Sequence, residues 1–286
     1  MELIDYLTHE ELLAQLSSRK IVIYGAGAVA NYFWWSLQAE GLENRVVTVV
    51  VSHAEPGTVF QGISCKNIID VDFDADTILC LAVHDTLLAE MKSILYAIPS
   101  KCMAVWIKPY CVGVTLHPPI AIHKRVSVRE IIRKRLALTR RDYNFALRWL
   151  VIDQYRGLND IGYELYVKMH RLYSSDNSSQ KRLVRYLELI DSWFNHGYDD
   201  ESVVIIDEDG VLMDGCHRAV IAAYEGRQSM FADVYPISLY RNSYIEQFLL
   251  TKKRLLANGF TVEELKTVER VQRDLDKIVG YFDLYE

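Results

Sequence analysis

The sequence predicts an α/β protein of two domains joined by a helical connector. Three observations carry that prediction. Lys20-Ile-Val-Ile-Tyr24 is an apolar run followed at once by Gly25-Ala26-Gly27-Ala28-Val29-Ala30 and a helical pattern to Glu40. Val203 to Tyr235 again alternates strands, turns and an alanine-rich helix, with Asp209-Gly210 and Asp214-Gly215 as its turn signals. Between these stretches, Lys108 to His123 holds three of the six prolines, and Pro118-Pro119 stops any helix. The expected division is a parallel-sheet domain over 1–110, a linker and helical connector over 111–180, and an α+β domain with C-terminal helices over 181–286.

Taken in order, Thr8-His9-Glu10-Glu11 has capping-box spacing, so a first helix is expected to about Leu16. The strand Lys20 to Tyr24 and the helix Ala28 to Glu40 follow. Further strands are expected over Arg45 to Val51, Thr77 to Val83 and Met103 to Ile107, with a helix from about Asp85 to Ala97. Lys124 to Arg148 carries nine Lys/Arg against Glu130 and Asp142. That is either a basic surface or a solvated helix face whose Ile131, Ile132, Leu136 and Leu138 pack inward; the second reading is favoured. Arg140 and Arg141 are candidates to reach a phosphate. From about Arg141 to His196 the chain reads as helices broken at Gly157 and near Ser174 to Ser179, the last with a stripe of Leu183, Leu187, Ile190 and Phe194. Val203 to Ile206, Val211 to Met213 and Met230 to Tyr235 read as strands, and Arg218 to Tyr224 as a buried helix closed by Gly226. Two helices end the chain, about Ser243 to Ala257 and Thr261 to Tyr281, the second with a capping box at Thr261 and Glu264. They pack on the second domain or serve as a homodimer surface.

Composition narrows the chemistry. Half of the 286 residues are hydrophobic, about a quarter are charged, and the formal net charge is −6, which argues against general nucleic-acid binding. The acidic N-terminal MELIDYLTHEEL is unlike a signal peptide, and no apolar run reaches the ~20 residues of a membrane span. The five cysteines are odd in number and lack C-x-x-C spacing, so disulfides and structural zinc are not expected, and the cytoplasm is. The eight histidines show no metal-ligand spacing. A small-molecule substrate is the expected partner.

Two stretches carry candidate chemistry. In G-x-G-x-x-A, Gly25 makes the turn, Gly27 lets a ligand phosphate approach the backbone, and Ala30 permits close helix–strand packing, a Rossmann-like unit. The next strand ends in Ser52-His53 and the first acid afterwards is Glu55, so the ribose-binding acid of a nicotinamide site is missing. A scaffold without a dinucleotide stays open beside a binding domain. In Asp214-Gly215-Cys216-His217-Arg218, free amides of a helix start can hold an anion, assisted by His217 and Arg218. Asp214 suits a metal ion or a substrate hydroxyl, and Asp207, on the hairpin with Glu208 and Asp209, is a second candidate for Mg2+. Cys216 is a candidate thiolate, since a helix N-terminus beside His and Arg lowers a thiol pKa. The bland alternative is a capped turn with Arg218 paired to Asp214.

The order strand, Asp-Gly turn, strand, D-G-x-H-R and helix, over about residues 180 to 235, resembles the ParB/sulfiredoxin-like fold. Gly215-Cys216-His217-Arg218 reproduces the G-C-H-R of sulfiredoxins, and Asp214-Gly215-x-His217-Arg218 resembles the motif of ParB-like free serine kinases. The resemblance implies a nucleotide-phosphate site for ATP or another NTP with Mg2+, with Asp214, His217 and Arg218 catalytic and Gly215 and Cys216 binding. Residues from about 19 to 108, with Gly62-Ile-Ser-Cys-Lys-Asn, resemble the N-terminal domains of bacterial sugar acyltransferases in glycan pathways. That likeness implies a nucleotide-sugar near the glycine turn; the acyltransferases' hexapeptide repeats are absent, so their activity does not carry over. The whole layout resembles ParB-like proteins of surface-polysaccharide clusters. The expectation is a nucleotide-dependent phosphotransferase, a kinase of a small hydroxylated metabolite. The alternative is a nucleotide-gated ParB-like binding or scaffold protein.

Overall fold

Alternating apolar strands and amphipathic helices give a mixed α/β chain in the computed structural model. It describes residues 2–4, 6–98, 102–139, 142–173, 175–236, 245–246 and 249–280. Two compact units result, Met1–Pro119 with Pro236–Asn242, and Ile120–Tyr235 with Ser243–Glu286.

The first unit is a seven-stranded, parallel-rich sheet. Its elements are β1 (Glu2–Ile4), α1 (His9–Ser18), β2 (Lys20–Tyr24), α2 (Ala28–Ala39), β3 (Val46–Val51), β4 (Val59–Phe60), β5 (Ile63–Asn67), β6 (Thr77–Leu81), α3 (Asp85–Tyr96) and β7 (Met103–Trp106). The order is β1-β7-β6-β2-β3-β5-β4, antiparallel only between β4 and β5. Every residue of β6 and four of the five in β2 are buried, as expected of central parallel strands covered on both faces. The expected capping box forms: Thr8 Oγ1 accepts the Glu11 N–H at 3.1 Å and Glu11 Oε2 accepts the Thr8 N–H at 2.8 Å. The edge strand β1 and the β4–β5 hairpin were not expected, being too short to show a period.

The second unit holds β8 (Ala121–Ser127), α4 (Val128–Thr139), α5 (Asn144–Tyr155), α6 (Gly162–His170), α7 (Asp176–His196), β9 (Val204–Asp207), β10 (Leu212–Asp214), α8 (Cys216–Tyr224), β11 (Ser229–Tyr235), α9 (Lys252–Ala257) and α10 (Val262–Val279). Its sheet runs β10-β9-β11-β8. β9 and β10 form an antiparallel hairpin, α8 carries the chain across so that β11 lies parallel to β9, and β8 pairs antiparallel with β11.

Three expectations change. The stretch 111–180 is no separate connector from residue 120 onward: α4, α5 and α6 bury Ile132, Phe145, Leu150 and Tyr166 in one core with Val204, Ile221 and Ala232. Part of the expected linker is β8, whose exposed His123, Lys124 and Arg125 hide a strand that gains its order by pairing with β11. The helix expected over Ser243 to Ala257 is not continuous. Residues 249–251 are non-helical, Thr251 caps α9, and the Leu250 N–H donates to Asp142 Oδ1 at 3.0 Å.

On α4 the inward face is Ile131, Ile132, Arg135 and Leu136, with Leu138 half-buried. The stripe of α7 is centred on Leu183, Tyr186, Ile190 and Trp193, with Leu187 and Phe194 at its margin. α10 buries Leu265, Val268, Val271, Leu275 and Val279 within its own unit, so that face is internal packing. Arg140 and Arg141 lie outside the described residues. Among those described, no helix is long and apolar enough to cross a membrane.

Candidate functional site

The turn between β10 and α8 is built on one glycine. Gly215 has φ +92°, a left-handed conformation that costs any other residue, and a Cβ there would lie 2.5 Å from Val204 Cγ1. Val204 is fully buried in β9, so it cannot yield. This close approach leaves one residue, Gly215 itself, between the exposed Asp214 and Cys216, the first residue of α8. α8 has no side-chain cap. Asp214 is thus not a capping residue, and the first-turn amides keep their capacity for an anion.

Arg218 turns back on β9, its Nη1 donating to Val203 O and, at 3.4 Å, to Ser202 Oγ. It therefore braces the strand end rather than pairing with Asp214. A guanidinium has five N–H donors, so this leaves donor capacity for a ligand. Asp207 corrects the sequence reading more sharply. Its Oδ1 accepts the Val211 N–H at 2.9 Å and its carbonyl accepts the Gly210 N–H at 2.8 Å, so the buried Asp207 closes the hairpin turn. Asp214 pairs with Ile205, two strand positions away, which is ~7 Å along the strand. Among the described residues no three His, Cys, Asp or Glu side chains are grouped to hold a metal. A groove of about 200 Å³, lined by Lys124, Ser127, Lys134 and Asp207 among others, opens at this turn end and not at Asp214.

His217 enters an aromatic cluster that no local pattern announces. Its Nε2 lies 2.7 Å from Tyr166 Oη, and its ring centroid is 4.3 Å from Tyr186. Tyr166 also packs on His170 at 4.5 Å and on Tyr186 at 5.4 Å. Burial holds the His217 pKa well below that of a free imidazole, and the charges of Arg148, Arg182 and Arg218 push the same way. His170 is driven down to about 3 by burial, then by Arg148 and Arg182. Both rings are neutral at physiological pH. The Cys216 thiol moves up, not down: its burial outweighs the pull of Arg148 and Arg135, so it is no thiolate nucleophile in this state. Arg148, Arg182, Tyr166, Tyr186 and His170 were not found from sequence, because they lie 31 to 69 positions from His217 and share no motif with it.

In the first unit the glycine turn has the expected geometry. Gly25 has φ +115°, donates its N–H to Val50 O at 2.8 Å, and leaves only 2.8 Å between a notional Cβ and Ala82 O. Gly27 caps α2 with φ −95°, and a Cβ there would meet nothing within 4 Å. Open space beside that backbone is what a ligand phosphate requires. Ala30 is fully buried. α2 thus starts at the carboxyl end of β2, where the chain passes to β3 on one side and later to β6 on the other.

No family model, no curated protein and no solved structure matches this chain.

Proposed function

We propose that the second unit is a nucleotide-dependent phosphotransferase, acting on a small hydroxylated metabolite, with its site at Asp214–Arg218. The observation that supports this reading best is the Gly215 turn, which sets the uncapped start of α8 with His217 and Arg218 in its first turn. In this reading the amides after Gly215 hold the nucleotide phosphates, with His217 and Arg218 beside the charge on the transferred group. Such positioning and electrostatic stabilisation are most of what phosphoryl transfer requires. Asp214, exposed at the end of β10, orients the acceptor hydroxyl. It also fits a magnesium ion carried by the nucleotide, since Mg2+ takes one or two carboxylates besides phosphates and water. Bound there, that ion would neutralise phosphate charge. Asp207 has one oxygen engaged by the Val211 N–H. The space beside Gly27 supports a second ligand in the first unit, a nucleotide-sugar. The resemblance of the layout to proteins of surface-polysaccharide clusters gives the metabolic setting of this proposal.

The alternative is a ParB-like unit that binds nucleotide to switch a partner without turnover.

Calorimetric titration with ATP, CTP, NAD and UDP-sugars in the presence of magnesium, with His217→Ala as control, tests both. ATP or CTP binding lost in the variant supports the site, and a phosphorylated acceptor then separates turnover from switching. Binding of only NAD or a UDP-sugar, unaffected by the variant, sinks the phosphotransferase reading and moves function to Gly25–Gly27.

A further inference from the structure

The imidazole of His217 is held by a residue outside the motif. Gly162 opens α6, and a side chain there would collide with the Leu150 carbonyl of α5, so the glycine seats the two helices in close contact. One turn later α6 presents Tyr166, which is 0 % exposed. Its ring is packed by His170, edge-on at 4.5 Å, and by Tyr186, stacked at 5.4 Å, so its hydroxyl has a fixed direction. That direction is toward His217 Nε2, 2.7 Å away.

The surroundings decide where the hydrogen of this contact sits. Among the described residues, His217 Nε2 is the only partner of the Tyr166 hydroxyl, and the Tyr186 hydroxyl is turned to the Arg148 carbonyl at 3.3 Å. A buried phenol places its O–H on an acceptor, and here that acceptor is a bare Nε2. Were Nε2 to carry a hydrogen, in the other tautomer or in the imidazolium, it would donate to the phenol oxygen and strand the buried O–H. That state is ~10-fold or more rarer. Burial acts in the same direction, raising the Tyr166 pKa and lowering that of His217, so both groups stay neutral. The ring hydrogen is therefore on Nδ1. Among the described residues Nδ1 has no partner, and it is not one of the buried polar atoms left without one, so it is open to solvent.

We propose that Tyr166 is the positioning residue of His217: its hydroxyl fixes the neutral Nδ1–H tautomer and so presents the ring to a ligand as a hydrogen-bond donor, not as a base. This rests on reading Asp214–Arg218 as the ligand site. A donor at Nδ1 suits an acceptor atom such as a phosphate oxygen and offers nothing to a ligand N–H. The substrate hydroxyl is then left to Asp214, the exposed carboxylate of the turn.

The test is long-range 1H–15N NMR of the histidine rings in the ligand-free chain near neutral pH. His217 is expected to show a hydrogen-bearing Nδ1 and a bare Nε2, and Tyr166→Phe to move both nitrogens toward an exchange average. A hydrogen on Nε2 in the unmodified chain overturns the proposal without any variant, as does a folded Tyr166→Phe chain that keeps the Nδ1–H tautomer. Calorimetric titration with ATP and magnesium then compares two variants chosen by shape, since the amide N–H of Asn can stand near Nδ1 and that of Gln near Nε2. His217→Asn is expected to bind within ~3-fold of the unmodified chain and His217→Gln ~10-fold or more weaker. Equal affinities or the reverse order overturn the donor role. An unmodified chain that shows the Nδ1–H tautomer but binds no nucleotide sinks the phosphotransferase reading alone; nucleotide binding with the hydrogen on Nε2 sinks this inference alone.

Discussion

Replacing Gly215 by alanine isolates the turn on which the candidate site is built. Two costs follow from the structure. A left-handed backbone costs a non-glycine residue ~1–2 kcal/mol, and φ +92° is no easier than the usual left-handed value. The added Cβ would stand 2.5 Å from Val204 Cγ1 and 2.9 Å from Val204 Cβ, and relieving such overpacking costs ~1–3 kcal/mol. The sum is roughly 2–5 kcal/mol, a drop of roughly 5–15 °C in the calorimetric midpoint of the second unit. Two controls separate the terms. Gly226→Ala, at φ +69° with nothing within 4 Å, should show only the conformational cost, about 1 kcal/mol. Combining Gly215→Ala with Val204→Ala removes the nearer contact, Cγ1, and keeps the one at Cβ, so the double variant should be more stable than the two single losses predict, by ~0.5–3 kcal/mol. Hydrogen exchange at the α8 amides places the loss. A Gly215→Ala chain within about 0.5 kcal/mol of the original, or strict additivity with Val204→Ala, would refute the close approach and with it the forced position of the helix start.

Gly27→Ala should leave the midpoint of the first unit unchanged or slightly raised, since φ −95° is open to alanine and its Cβ meets nothing. The same change should weaken nucleotide-sugar binding by calorimetry; unchanged binding would remove the ligand from that turn. Stability of the second unit should fall on acidification. His170 has a folded pKa of about 3 against 6.5, so its contribution is fully present above the unfolded value and is lost as pH falls toward 3. The slope is up to about 1.4 kcal/mol per pH unit. His170→Gln should flatten urea-midpoint-against-pH curves in that window, and a parallel curve would show that the ring is solvated. Cys216 should react slowly with iodoacetamide in the native chain at neutral pH and faster only above the ordinary thiol range, because burial raises its pKa. Rapid alkylation near neutrality would restore it as a nucleophile.

Much of the fold was legible because its signals are local. Thr8 with Glu11 and Thr261 with Glu264 form their capping boxes, and Gly25, Gly210, Gly215 and Gly226 take the positive φ that turn signals imply. The misreadings share one cause. β8 reads AIHKRVS, with exposed charges and no clean alternation, and becomes a strand only through β11, about a hundred residues later. The break expected at Gly157 falls between α5 and α6, but the core these helices enter is completed by α8 and the sheet.

At the site, the sequence by itself determined the turn, the helix start and the residue types on them: Asp214 outside, Gly215 at the bend, His217 and Arg218 in the first turn of α8. Such features depend on φ preferences and on hydrogen bonds spanning a few residues. Only the tertiary structure decided what those side chains do. It turned one oxygen of Asp207 to the hairpin and one arm of Arg218 to the Val203 carbonyl, and it placed Cys216 where desolvation raises its thiol pKa against the pull of Arg148 and Arg135. It also brought Arg148, Tyr166, Arg182 and Tyr186 to His217. Charge, burial and hydrogen bonding act through distances in space, and the chain sets those distances only by folding.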